Sequence, residues 1–247
     1  MTIYTLWLRQ VKRYLRSKSR IIGSLWQPIL FLIAFGFWFW PIFQKAWGGD
    51  YIQFLTPWII CMSVLFLSLF SGIDIIWDKQ FGFLKETLVA PASRIEIMLW
   101  RTLWWATIAS IQWIIVFVIS FIAGFRATDY SQTIITLIFM FLIAIIFTAL
   151  WTSIALLLKD MQWFQLIMNF LVMPLFFLSG ALFPLNNIPK ALAMISSFDP
   201  LSYGVDGIRG TLTWLWHFGI RTDLTVLFLL MIIFVTIWSY LFSKVEG

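Results

Sequence analysis

The chain has 247 residues, 62% of them hydrophobic and only 11% charged, against roughly 25% charged in ordinary globular chains, which excludes a soluble domain and marks a polytopic membrane protein. A net charge of +6 with a pI near 9.6 would suggest nucleic acid in a soluble protein; here lipid headgroups and membrane topology account for it, and no nucleic-acid partner is expected. One cysteine, Cys61, and one histidine, His217, exclude an intrachain disulfide, a Cys/His zinc cluster and bis-histidine haem chemistry.

Tyr4, Trp7, Leu8, Val11, Tyr14 and Leu15 fall on one helical face, and Arg9, Lys12, Arg13, Arg16 and Arg20 on the other. This predicts a basic amphipathic interface helix over 1–20, lying on the inner membrane surface. It is expected to run without a break into Ile21–Gln44, an uncharged stretch of 24 residues, longer than the ~20 needed to cross ~30 Å of hydrocarbon. Six Lys/Arg and no acid precede this span, which places the N-terminus on the cytoplasmic side. A secretory signal has an apolar core of about 7–15 residues and a small-residue cleavage site. This run is longer and passes through Phe37, Trp38, Phe39, Trp40 and Pro41, so it reads as retained.

Further uncharged runs follow at 51–73, 102–125, 130–158, 161–189 and 224–243. With 161–184 as the spanning part of the fifth, they predict six transmembrane helices and a cytoplasmic C-terminus. The charges test this count separately: the inner segments carry 12 Lys/Arg and the outer segments 5, the bias that the assigned orientation requires. Most of the 16 tryptophans stand near span ends, among them Trp38, Trp40, Trp58, Trp100, Trp104 and Trp238. An aromatic belt at headgroup level is sufficient for most of them.

The connections are uneven. In the long inner link, 77–101, Phe81–Ala90 reads as a short helix stopped by Pro91, because the residue before proline is pushed out of the α region. Ser93 and Glu96 then form a capping-box pattern that starts the next helix. A small helix is thus presented to the cytoplasm at the end of two long ones, where with the interface helix it offers a docking surface for a soluble partner. In the long outer link, 185–223, Asn187 can cap a helix from Ile188 to about Ser197, and Asp199-Pro200 signals a second. Leu201, Val205, Ile208, Leu212 and Leu215 give that second helix an apolar stripe. Both are too short to span, so they are expected to dip in and return as a re-entrant hairpin. Gly204, Gly207 and Gly210 would let a neighbouring backbone approach, as tight packing or as a moving gate, and Asp206 and Arg209 at i, i+3 would satisfy one another.

Charges within the spans are nearly absent. Asp74 is expected to point away from hydrocarbon, and Asn169 to hydrogen-bond a neighbouring helix or to touch substrate. Such a pathway suits an amphipathic or lipid-like cargo and does not suit an ion. Aromatic rings also stack on sugar faces, so Phe31, Phe35 and Trp38 with Phe170, Phe176 and Phe177 could line a conduit for lipid-linked glycans.

The segment Phe81-Gly-Phe-Leu-Lys-Glu-Thr-Leu-Val-Ala-Pro-Ala-Ser-Arg94 resembles the cytoplasmic signature of type-2 ABC transporter permeases. So does Phe177-Leu-Ser-Gly-Ala-Leu-Phe-Pro-Leu-Asn-Asn-Ile-Pro189, followed by Asp199-Pro-Leu-Ser-Tyr-Gly-Val-Asp-Gly-Ile-Arg209. The likeness covers essentially the whole chain and is nearest to the daunorubicin-resistance type and its lipo-oligosaccharide-exporting relatives. It implies an all-α permease, a second permease copy in a homodimer or related heterodimer, and two copies of a separate ATPase that holds ATP and magnesium. It further implies that Phe81, Gly82, Phe83, Leu84, Lys85, Glu86, Leu88, Pro91 and Arg94 couple to that ATPase. Gly180, Phe183, Pro184, Pro189, Pro200, Gly204, Gly207 and Arg209 would then belong to the outer hairpin or gate. No G-x-x-x-x-G-K-[ST] occurs in the sequence, so ATP hydrolysis is assigned to the partner and no catalytic or metal residue to this chain. The competing classes are an integral membrane enzyme, for which no paired intramembrane carboxylates stand ready, and a non-transporting scaffold.

Overall fold

A computed structural model describes residues 2–38, 41, 45, 51–89, 93–128, 130–180 and 189–244, and among these the chain is helical with no strand. In chain order the helices are α1 (Thr2–Arg16), α2 (Lys18–Trp38), α3 (Tyr51–Gln80), α4 (Phe83–Val89), α5 (Arg94–Ile122), α6 (Thr133–Leu157), α7 (Met161–Leu178), α8 (Lys190–Ser196), α9 (Pro200–Thr213) and α10 (Ile220–Ser243). Five are long and apolar enough to cross a membrane: α3, α5, α6, α7 and α10. The apolar part of α2 is Ile21–Gly36, and the rest of the first expected span, to Gln44, falls mainly outside the described residues.

Several boundaries differ from the sequence reading. The interface helix does not run unbroken into the first span: Ser17 interrupts it, its N–H bonding back to the Tyr14 carbonyl at 2.9 Å. The second span continues through Asp74, Asp78 and Lys79 to Gln80, because Asp78 and Lys79 find partners on neighbouring helices. Phe81 and Gly82 belong to the turn before α4, and Gly82 has φ +79°, a left-handed conformation that glycine tolerates. The Ser93–Glu96 capping box forms as expected: Glu96 N–H donates to Ser93 Oγ at 3.2 Å and Ser93 N–H to Glu96 Oε2 at 2.8 Å. Helix α7 ends at Leu178, ahead of a turn in which Gly180 has φ +66°.

The core is built around α3 and α6, which pack against each other; α5 and α10 pack on α6, and α2 on α3. The α3–α6 contact is close because Gly72 of α3 leaves room for the Trp151 carbonyl of α6, which an added Cβ would meet at 2.8 Å; the same Cβ would meet the Phe164 ring of α7 at 2.5 Å. The tryptophans depart from the expected belt. Trp58, Trp104 and Trp238 are buried in the bundle, as is Trp151, so bulk packing takes rings that the sequence placed at headgroup level. Cys61 is fully buried, a small packing residue.

Candidate coupling surface, hairpin and pathway

The α3–α4–α5 turn is braced at three points. Arg101 and Asp78 form an ion pair across α5 and α3. Lys79 donates its Nζ to the carbonyls of Ala155 and Leu158, both at 3.0 Å, and to that of Leu156. These carbonyls lie at and just past the C-terminal end of α6, where a cation is favoured by the helix dipole. Leu84 of α4 is buried against Ile97 of α5 and Phe242 of α10. The braced end presents Phe81 and Phe83, which are 71% and 54% exposed, beside exposed Lys85. Of the other expected coupling residues, the side chains of Glu86, Leu88 and Arg94 and the whole of Pro91 lie outside the described residues. On α1, Lys12 and Arg16 are exposed, while the side chains of Arg9 and Arg13 are likewise outside the description. Trp7 anchors α1 to α5 by an indole N–H bond to Thr107 Oγ1 at 3.0 Å.

Helix α9 is buried along its whole length from Leu201 to Leu212. Asp199 caps it, accepting the Leu201 N–H at 2.8 Å, with Pro200 in the first turn. Burial pushes the Asp199 carboxyl up to about 7, against the lowering effect of the Leu201 N–H and the Ser202 hydroxyl. Thr211 hydrogen-bonds Thr136 at 2.8 Å, Gly207 faces Phe139 and Gly204 faces Ile143, so α9 runs antiparallel along α6. Counted from Thr136, its N-terminal end reaches at least seven residues, or about 10 Å, into the bundle. The three glycines receive side chains rather than a neighbouring backbone: Ile143, Phe139 and, at Gly210, Trp216.

Two expectations about α9 are corrected. Asp206 and Arg209 do not satisfy one another. Both Asp206 oxygens are taken by backbone N–H groups, of His217 at 2.7 Å and Phe218 at 2.8 Å. Arg209 donates to the Gly180 carbonyl at 3.1 Å and lies over the Phe54 ring at 4.0 Å. Leu215 lies beyond the helix end and is exposed, because Trp214 closes α9 in a left-handed conformation, φ 60°. Pro189 caps α8; Asn187, Phe183 and Pro184 lie outside the described residues.

Phe31 and Phe35 of α2 and Phe176 of α7 all meet Trp58 of α3, with ring centroids 5.0–5.9 Å apart, and Phe177 packs on Phe176 at 5.2 Å. Trp58, which the sequence placed in the headgroup belt, is the ring that joins Phe31, Phe35 and Phe176; the side chain of Trp38 is outside the description. Asn169 does not reach another helix among the described residues. It stands with Gln162 and Gln165 at i, i+3, i+7 spacing on an exposed stripe of α7, bordering a shallow depression with Leu166 and Phe170. Asp223 at the start of α10 is fully buried, which its position at the edge of a loop had not suggested.

Long apolar helices packed through a common core, with their charged groups gathered toward helix ends and in buried α9, mark a multi-pass membrane protein. The family model of the ABC-2 type transporter matches residues 1–213. The chain is 33% identical to the putative transport permease ycf38 of Cyanophora paradoxa over 81% of this chain and 71% of that protein. It is 31% identical to the protein of the same name from Pyropia yezoensis, over 81% and 70%. With nodulation protein J of Rhizobium leguminosarum bv. viciae it shares 24% identity over 78% and 75%. The chain belongs to the ABC-2 type transporter family.

Proposed function

We propose that this chain is the permease subunit of an ATP-driven exporter that moves amphipathic, drug-like or lipid-like molecules outward across a prokaryotic cytoplasmic membrane. A separate ATPase, present in two copies, binds the α3–α4–α5 end and holds the ATP and magnesium. The observation that carries this reading is the braced turn. An ion pair ties α3 to α5, Lys79 ties α3 to the end of α6, and buried Leu84 ties α4 to α5 and α10, while Phe81 and Phe83 face outward. A push on those rings therefore moves helices rather than a loop, as energy transfer from a partner's two states requires.

Family membership favours the transport subunit over an enzyme or scaffold. In this reading α2 is the first of six spans, both termini are cytoplasmic, and α8–α9 enter from the outer face as a re-entrant hairpin. The exposed polar stripe of α7 supports a second permease copy, since Gln162, Gln165 and Asn169 would be costly against hydrocarbon. The aromatic cluster about Trp58 favours a second cargo class, lipid-linked glycans or lipo-oligosaccharides, whose sugar faces stack on rings.

The test is reconstitution of the permease with its ATPase subunit. Phe81→Ser with Phe83→Ser, and separately Glu86→Ala, should leave insertion intact and lower substrate-stimulated ATP hydrolysis and transport. Normal coupling in both variants would refute the role given to α4.

A further inference from the structure

A cavity of about 450 Å³ lies between α1, α2, α3 and α5, apart from the aromatic cluster's α7 side and from the hairpin. Its lining runs along α3 from Ile59 to Trp77, about 27 Å at 1.5 Å per residue. The inner walls are closed by Ile59, Met62, Leu67 and Ile108, all buried. The mouth lies at Gly23, Phe70 and Trp77, all exposed, between α2 and α3. The cavity is thus an elongated apolar slot, open to one side at the end of the bundle that carries α4.

Its polarity is uneven. Asp74 lines the end nearest the mouth, one helical turn from the Asp78–Arg101 pair. Gln112 lines it about 10 Å deeper by helical rise. Gln112 is 3% exposed, and its Nε2 donates to the Ser24 carbonyl at 2.9 Å. That bond fixes the amide, since turning it would set two oxygens together. Its Oε1 is left buried without a hydrogen-bond partner, a state that costs the group its desolvation unless a donor arrives. Ser63, on the same lining, donates its hydroxyl to the Ile60 carbonyl at 2.7 Å and so offers only lone pairs to the cavity. The slot therefore combines an apolar length suited to a hydrocarbon chain with oxygens that accept.

We propose that this cavity binds one amphiphile drawn from the cytoplasmic leaflet. Its apolar chain lies between Phe31, Ile59 and Phe66, and a hydroxyl or amine on it donates to Gln112 Oε1. The site selects donor-bearing headgroups over esters of the same chain. The proposal deepens the export reading by naming the substrate class, and rests on that reading only for the site's role in loading cargo; the binding itself needs no ATPase.

The experiment measures equilibrium binding of tritiated oleyl alcohol to the purified full chain in detergent micelles, with oleylamine and methyl oleate as competitors. Saturable binding of one oleyl alcohol per chain is expected, with oleylamine competing and methyl oleate weaker by about three- to tenfold, the worth of one hydrogen bond. Gln112→Leu should abolish the difference between alcohol and ester. Gly23→Phe, placed where an added Cβ meets nothing within 4 Å, should keep the fold and lower binding of both. No saturable site, equal competition by the ester in the unaltered chain, or full binding to folded Gly23→Phe would each overturn the proposal. Because no ATPase is present, none of these results depends on the coupling role of α4.

Discussion

Gly207 sits where α9 crosses Phe139 of α6, and replacing it by alanine sets two effects of known sign against each other. In an exposed helix interior, Gly→Ala gains up to about 1 kcal/mol from reduced backbone entropy. At Gly207 the new Cβ would stand 2.2, 2.5 and 2.5 Å from three atoms of the Phe139 ring, where carbon contacts settle at about 3.5–4.0 Å. Relief needs a ring movement of more than about 1 Å, and Phe139 is fully buried on the helix at the centre of the core. Overpacking of this kind costs about 1–3 kcal/mol, and three ring atoms within 2.5 Å put it at the upper end, so the net expectation is a loss of about 2 kcal/mol once a helix gain of about 1 kcal/mol is subtracted. Reversible unfolding in mixed dodecylmaltoside and SDS micelles reads this directly. Gly23→Ala on α2, where the Cβ meets nothing within 4 Å, should be neutral or stabilising in the same assay. Adding Phe139→Leu should return part of the Gly207→Ala loss, a coupling of about 0.5 kcal/mol or more in the double-mutant cycle. If Gly207→Ala is as stable as the unaltered chain, the close contact between α9 and α6 is wrong.

Other outcomes follow from the same geometry. Asp78→Asn or Arg101→Gln should each weaken the ATPase's grip on transport more than they weaken folding. The exchange Asp78→Arg with Arg101→Asp should restore part of the coupling in the reconstituted assay, because the pair joins α3 to α5. Leu84→Ala should cost about 2 kcal/mol where α4 packs on Ile97 and Phe242, read as faster hydrogen exchange confined to α4. Asp199 is pushed up to about 7 by burial, so it binds its proton more tightly folded than unfolded. Its contribution to stability is complete below its ordinary carboxylate range and is lost as pH rises through about 7. Asp199→Asn should therefore flatten the fall in thermal stability between about pH 4 and pH 7, the interval between the ordinary and the raised carboxyl values.

Much of the helical layout was legible because its signals are local. Uncharged runs mark the spans, Ser93 and Glu96 mark the start of α5, and Asp199-Pro200 marks the start of α9. Each of these is set by neighbours in sequence; the starts of α5 and α9 form as expected, and five of the six uncharged runs form helices long and apolar enough to cross a membrane. What could not be read depends on residues far apart in the chain. Asp78 and Lys79 look like loop charges until Arg101 and the end of α6 are beside them. Asp206 and Arg209 look like a helical pair by spacing. Backbone N–H groups at His217 and Phe218, the Gly180 carbonyl and the Phe54 ring take them instead. Trp58 and Trp238 carry the residue type of an interface belt, and only the packing of helices decides that they are core. Gln112, a lone amide in an apolar run, gave no signal at all; its meaning comes from the cavity it borders.

The most direct test of the central claim is purification of the tagged chain from its native membranes in mild detergent, with the bound proteins identified and counted by mass spectrometry. The account predicts a soluble ATPase with a phosphate-binding loop at one copy per permease chain, retained by the unaltered protein and lost from inserted Phe81→Ser, Phe83→Ser protein. A permease that purifies without an ATPase across several mild conditions, or that holds one equally well in the double variant, would contradict it.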